Sequence, residues 1–142
     1  MSRERTMARR RAVQALYQWQ QVGQDLADIE LQFLTEQEMD RVDVEYFKEL
    51  FHAVPKNLEE LDQVLQPLLD RNIESVDSVE RAILRLGAYE LKHRLEIPYR
   101  VVINEAIELA KTFGADQSHR YINGVLDKLA PMLRPAECAR GR

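Results

Sequence analysis

The stretch Val79–Leu95, VERAILRLGAYELKHRL, decides how the rest of the chain is read. It is long enough for about four to five helical turns, and only Gly87 interrupts its good helix formers. Asp77 or Ser78 stands at its start, where a short side-chain oxygen accepts an orphan backbone N–H. Val79, Ile83, Leu86 and the ring of Tyr89 recur at helical spacing and form one apolar stripe. Leu84, Ala88, Leu91 and Leu95 form a second stripe on another side. A helix apolar on two sides needs neighbours on two sides. The stretch therefore predicts the central strut of an all-α domain.

Six further helical segments read outward from it, joined by short connections, with no convincing strand. The first spans about Arg3 to Gln21, with Ala8, Ala12, Ala15, Leu16 and Trp19 on one arc and Arg3, Arg10, Gln14, Tyr17 and Gln21 on the opposite one. Gly23 stops it and Asp25 caps a second segment, in which Leu26, Ile29 and Phe33 face inward. A third runs from Val44 to near Pro55. A fourth, marked by Leu58, Leu61, Val64, Leu65 and Leu68, is expected to kink or end early at Pro67. After the strut, Tyr99 to Phe113 forms a sixth helix that Gly114 closes with a left-handed residue. Asp116 or Ser118 opens a seventh, in which Gly124 suggests close approach of another backbone. Pro131 and Pro135 end the order, leaving residues 136–142 as a loose tail. Residues 1–142 read as one domain, without repeat or linker.

Composition agrees. The chain has 142 residues, 45% hydrophobic and 31% charged, as a soluble globular domain has. No apolar run approaches the roughly 20 residues that span a bilayer, and no apolar segment follows the first arginines to make a secretory signal. The lone cysteine, Cys138, allows no internal disulfide and suits a reducing cytoplasm. The net charge of −4 is unevenly spread: residues 1–11 hold five arginines against Glu4 alone, a local +4 that leaves −8 on the remainder. A basic arm on an acidic body suits a polyanionic partner; a solvated helix start explains it as well.

An enzyme reading fares poorly. His52, His93 and His119 stand near no other ligand at metal spacing, and no nucleophile elbow, P-loop or dinucleotide fingerprint is present. Neither metal nor cofactor is called for. Binding fares better. Arginines and Tyr17 share the outward arc of the first helix, where guanidinium groups reach phosphates and a tyrosine ring offers a platform to an unpaired base. The competing reading is a tyrosine lying on its own helix beside solvated arginines. On the strut, Leu84 and Leu91 lie close to Glu80 on the helical wheel; if no helix of this chain covers that side, it is a patch for a protein partner.

Four segments carry a resemblance: AVQALYQWQ (Ala12–Gln20), VERAILRLGAYEL (Val79–Leu91), IPYRVVINEAIELAKTFG (Ile97–Gly114) and SHRYINGVLDKLAP (Ser118–Pro131). Together they resemble the NusB family of bacterial transcription antitermination factors, over nearly the whole chain. The resemblance implies an all-helical fold of two small packed bundles and no catalytic activity. It also implies that the chain pairs with NusE, a small-subunit ribosomal protein, on the boxA element of nascent ribosomal RNA. That complex would join the RNA polymerase elongation complex through other Nus factors. Carried onto this sequence, the RNA-binding residues would be Arg3, Arg5, Arg9, Arg10 and Tyr17, with Arg85, Gln117 and Tyr121 on the RNA or shared surface. Glu80, flanked by Leu84 and Leu91, would meet the protein partner. Monomer and homodimer both stay open. Two alternatives stand beside this reading. One is the RNA-targeting module that some ribosomal RNA methyltransferases carry, although 142 residues leave no room for their cofactor domain. The other is a helical dimerisation module that ignores RNA.

Overall fold

Short polar side chains and glycines set the helix ends. In the computed structural model, which describes residues 2–140, Ser2 starts helix α1 (Arg3–Val22) by accepting the N–H of Arg5. Gly23 closes it at φ 70°, a left-handed conformation that costs a residue without Cβ nothing. Asp25 caps α2 (Leu26–Glu36) and Asp43 caps α3 (Val44–Lys56). Helix α4 (Leu58–Leu65) gives way at Pro67 to a 3-10 turn, Gln66–Leu68, the early end its sequence calls for. A second such turn, Ile73–Ser75, leads to α5 (Ser78–His93), where one Asp77 oxygen accepts the N–H groups of both Val79 and Glu80. Helices α6 (Tyr99–Phe113), α7 (Ser118–Leu133) and α8 (Pro135–Arg140) complete the chain, and no strand occurs among the described residues.

The strut reading of α5 holds. Every residue from Arg81 to Leu91 is buried, because α1, α3, α4, α6 and α7 all pack around it. Helices α1–α3 form one group and α6–α8 another, both against α5, and a single apolar core runs through them. This is the all-α, two-bundle arrangement expected. Its consequence for Leu84 and Leu91 is a correction: both are fully buried, so the chain itself covers the side expected to face a partner. Helices α5 and α7 approach closely at Gly87, where an added Cβ would stand 3.1 Å from Leu126 Cδ1 of α7.

Three further expectations fail, each for a local reason. Gly114 is extended, at φ −85° and ψ 171°, and the left-handed residue is Gln117 instead. A glycine is still required at 114, since a Cβ there would sit 2.7 Å from the Ala110 carbonyl oxygen. Gly124 faces open space rather than another backbone. The loose tail is an eighth helix as far as Arg140, with residues 141–142 lying outside the described range. Pro135 suits the first position of a helix, where no N–H is needed. Glu137 accepts the Tyr99 N–H at 2.8 Å, and Cys138 is buried. No described helix is long and apolar enough to cross a membrane.

Candidate nucleic-acid interface

Residues seven apart on a helix share a face, so Arg3, Arg10 and Tyr17 form one line along α1, about 21 Å long at 1.5 Å per residue. Arg3 and Tyr17 are exposed and Arg10 is half-buried. Neither guanidinium pairs with another described residue. Two unneutralised cations above an aromatic ring with 40% of its surface open make a basic, stacking edge suited to a single strand.

What turns this edge outward lies on the opposite side of the helix. Arg9 is completely buried and binds Glu90 of α5 through both Nε and Nη2, at 2.9 Å to Oε2. Its Nη1 reaches Glu105 of α6 at 2.9 Å, and Thr6 donates to the same Glu105 oxygen at 2.7 Å. Tyr46 of α3 donates a short hydrogen bond to Glu90. Burial, and then the Glu90 carboxylate, keep this phenol protonated far above its usual range. Four helices thus meet at one ionic knot, and Arg9 is unavailable to RNA. The assignment of Arg9 as an RNA contact is corrected on this ground: its charge is already neutralised inside the protein.

The structure sorts the remaining residues. Arg5 lies 4.4 Å over the Tyr46 ring, beside Arg94 at 4.9 Å, and lines a different cavity with Asp43, Glu49 and His52. It is drawn away from the Arg3–Arg10–Tyr17 line. Arg85 is buried, forms two parallel bonds to Asp62 at 2.9 Å and donates to Gln20; its assignment to RNA is corrected likewise. Gln117 is exposed at φ 73°, between α6 and α7. Tyr121 is half-buried, with Arg71 6.0 Å over its ring. Burial, with the nearby Asp70 carboxylate, raises its phenol pKa. Glu80 is half-buried and accepts the Ser118 hydroxyl at 2.6 Å, which ties the start of α7 to the start of α5.

One feature escaped the sequence reading. Beside Tyr17 an open cavity of about 440 Å³ is lined by Gln14, Gln18 and Gln21 of α1, Val79 of α5 and Phe113 of α6. Phe113 reads as an inner-face residue from spacing alone; only the packing of the end of α6 against α1 reveals that it borders the stripe.

Fold and edge together define a class: all-helical proteins that present an elongated basic and aromatic face. Comparison with known proteins makes this specific. The NusB family profile matches residues 6–131. The transcription antitermination protein NusB of Shewanella amazonensis is 60% identical over 126 residues, covering 89% of this chain and 94% of that one. Its counterpart in Alcanivorax borkumensis is 57% identical over 138 residues, covering 97% and 92%. Among solved structures, a chain from a crystal structure of antitermination factors NusB and NusE in complex with double-stranded RNA superposes with a TM-score of 0.83. It is 28% identical, with 93% of this chain and 99% of that one covered. T. maritima NusB gives 0.80 at 30% identity, with 99% of each covered. This chain belongs to the NusB family of transcription antitermination proteins.

Proposed function

We propose that this protein is a cytoplasmic RNA-binding adaptor of antitermination. It would hold single-stranded boxA-type RNA of ribosomal RNA operons along Arg3, Arg10 and Tyr17, jointly with a NusE-type partner. The complex would reach the RNA polymerase elongation complex through other Nus factors. The observation that carries the reading is the unneutralised arginine–tyrosine line on an otherwise acidic body. The structural relative solved with NusE and double-stranded RNA supports NusE and RNA as the classes of partner. Gln117 and Tyr121 would meet the RNA or the surface it shares with the partner, and Glu80, beside them at the starts of α5 and α7, would meet the protein partner.

A gel shift on boxA RNA, with and without the partner, tests the reading. The partner should tighten binding. Arg10→Ala should weaken it and flatten the dependence of log affinity on log salt by up to about one unit, the signature of one lost phosphate contact. An unchanged slope would remove Arg10 from the RNA. For the partner, Glu80→Lys should lower affinity in calorimetry by roughly 1–3 kcal/mol through like-charge repulsion, while Ser118→Ala, which removes only the internal bond, should not. Equal affinity for Glu80→Lys and the parent would take Glu80 out of that interface.

A further inference from the structure

A guanidinium has a side-on fork, Nε with Nη2, that matches the two oxygens of a carboxylate. Among the buried arginines, Arg9 sets this fork on Glu90 and Arg85 sets it on Asp62, while Arg134 gives both nitrogens to backbone carbonyls. Arg81 differs. Its Nη1 donates to the carbonyls of Glu74 and Val76 at 3.0 and 3.4 Å, yet its Nε is buried without a partner. No described residue bonds its Nη2. Arg81 is only 9% exposed, so a charged donor pair stands nearly out of water and unmet, which is costly. Arg81 lines a cavity of about 220 Å³ with Trp19 and Gln20 of α1, Leu58 of α4, Glu74 and Arg85. The Trp19 indole N–H has no acceptor among the described residues either. The acid that reaches Arg81 is Glu74, and it holds the arginines loosely. Its carboxylate stands 3.9 Å from Arg81 Nη1 and 3.7 Å from Arg85 Nη2, with 67% of the side chain in solvent. An ion pair so open contributes little.

We propose that this cavity takes one carboxylate group from outside the chain. The carboxylate seats on Arg81 Nε and Nη2 as Asp62 seats on Arg85, and the exposed Glu74 side chain swings away to admit it. The apolar surfaces of Trp19 and Leu58 receive the body that carries the carboxylate. Two sources have this chemistry: the chain end of a protein partner and a free small carboxylic acid. Nucleic acid fits worse. A phosphate in a strand brings its neighbours with it, across Asp62, Glu74 and the exposed Asp25 and Glu59, which closely follow the lining residues Gly23 and Leu58 in sequence. A lone carboxylate needs no such passage. Trp19 is two residues, roughly 200°, from Tyr17 on α1, so this cavity and the Arg3–Arg10–Tyr17 edge face different ways. The site is therefore additional to the RNA-binding function above and does not rest on it.

The test is a nuclear magnetic resonance titration of the full chain, read at the Arg81 Nε–H signal and at the indole N–H of Trp19, the only tryptophan. The probes are sodium acetate, an acetylated tripeptide ending in leucine with a free carboxyl terminus, and the C-terminal amide of that peptide. Sodium chloride holds the ionic strength constant. Both carboxylates should move the two signals saturably, and the amide should not. A peptide that binds about tenfold tighter than acetate identifies a chain end as the natural source, and equal affinities identify a free acid. Glu74→Gln, a change on an exposed side chain, should tighten binding by up to about fivefold, because the competing carboxylate is gone. Arg81→Lys should weaken it about tenfold, since an ammonium has no fork. If that variant does not fold, Glu74→Gln carries the test alone. Equal shifts from acid and amide, or no gain in Glu74→Gln, would overturn the site. So would a short oligouridylate that moves the Arg81 signal as the acids do, which would give the cavity to RNA.

Discussion

Arg9→Ala is expected to destabilise the protein by about 3–5 kcal/mol, the usual cost of removing one partner from a buried ion pair. The magnitude follows from what stays behind. Glu90 is 1% exposed and receives Arg9 Nε and Nη2 together with the Tyr46 hydroxyl. Alanine leaves that carboxylate in the interior with the phenol alone, and Glu105 keeps only Thr6. Urea denaturation at neutral pH should show a lower midpoint with an unchanged slope, since the folded and unfolded surfaces change little. Arg9→Lys should recover only part of the loss, because one ammonium cannot match a planar fork that serves two carboxylates. Glu90→Gln with Arg9→Met should cost less than Arg9→Ala alone, because it removes the charge from the fully buried site at Glu90 and leaves unpaired only Glu105, which is 17% exposed and keeps Thr6. A change of under about 1 kcal/mol in Arg9→Ala would show that the knot is not closed to water. The same variant separates two roles for this arginine: an RNA contact would alter binding at unchanged stability, a structural one the reverse.

That distinction explains where sequence reading reached and where it stopped. Helix ends were legible wherever a local rule sets them, as at Gly23, Asp25, Pro67 and Asp77. The strut was legible because apolar residues on two sides of one helix leave no other arrangement. Charged residues were not, because a wheel shows on which side an arginine lies but not whether a carboxylate from a distant helix waits there. Arg9, Arg85 and Arg134 are all buried, each on a partner or a carbonyl far away in sequence. Leu84 and Leu91 raised the converse problem: the stripe was correctly seen, but which helix covers it is a tertiary fact.

The candidate interface divides along the same line. Arg3, Arg10 and Tyr17 lie on the arc that periodicity placed opposite the alanines, and they are outward for that reason. Arg5 shares the arm's charge but sits four residues before Arg9, so it follows Arg9 toward Tyr46. Phe113 and Gln18 gain their position only from the meeting of α1 with the end of α6. A basic composition identifies an arm; the side on which each arginine falls decides which of them RNA can reach.

The C-terminal helix offers the second large effect. Arg134→Ala should cost roughly 3 kcal/mol and release α8, judged by the 1–3 kcal/mol of each buried polar group left unsatisfied. Its guanidinium donates to the carbonyls of Leu91, Glu90, Arg94 and Ile97 at 2.5–3.0 Å and pairs with Glu137 at 2.9 Å. Glu90 and Leu91 belong to the last turn of α5, whose carbonyls have few partners within the helix. A cation there also opposes the negative end of the helix dipole. Arg134 is therefore the C-terminal cap of the strut, supplied from the far end of the chain, and Glu137 converts that cap into an anchor for α8. Cys138 makes the outcome readable. It is the only cysteine, 3% exposed, so a thiol reagent should label the parent slowly. Arg134→Ala should be labelled at a rate near that of a free thiol at denaturant concentrations where circular dichroism still reports folded helices, since a local opening of α8 suffices. Arg134→Lys should remain nearly as reactive, because a single ammonium cannot span four carbonyls. Protection of Cys138 equal to that of the parent would mean that α8 holds its place through the apolar contact of Cys138 and the Tyr99–Glu137 hydrogen bond, with Arg134 serving α5 only.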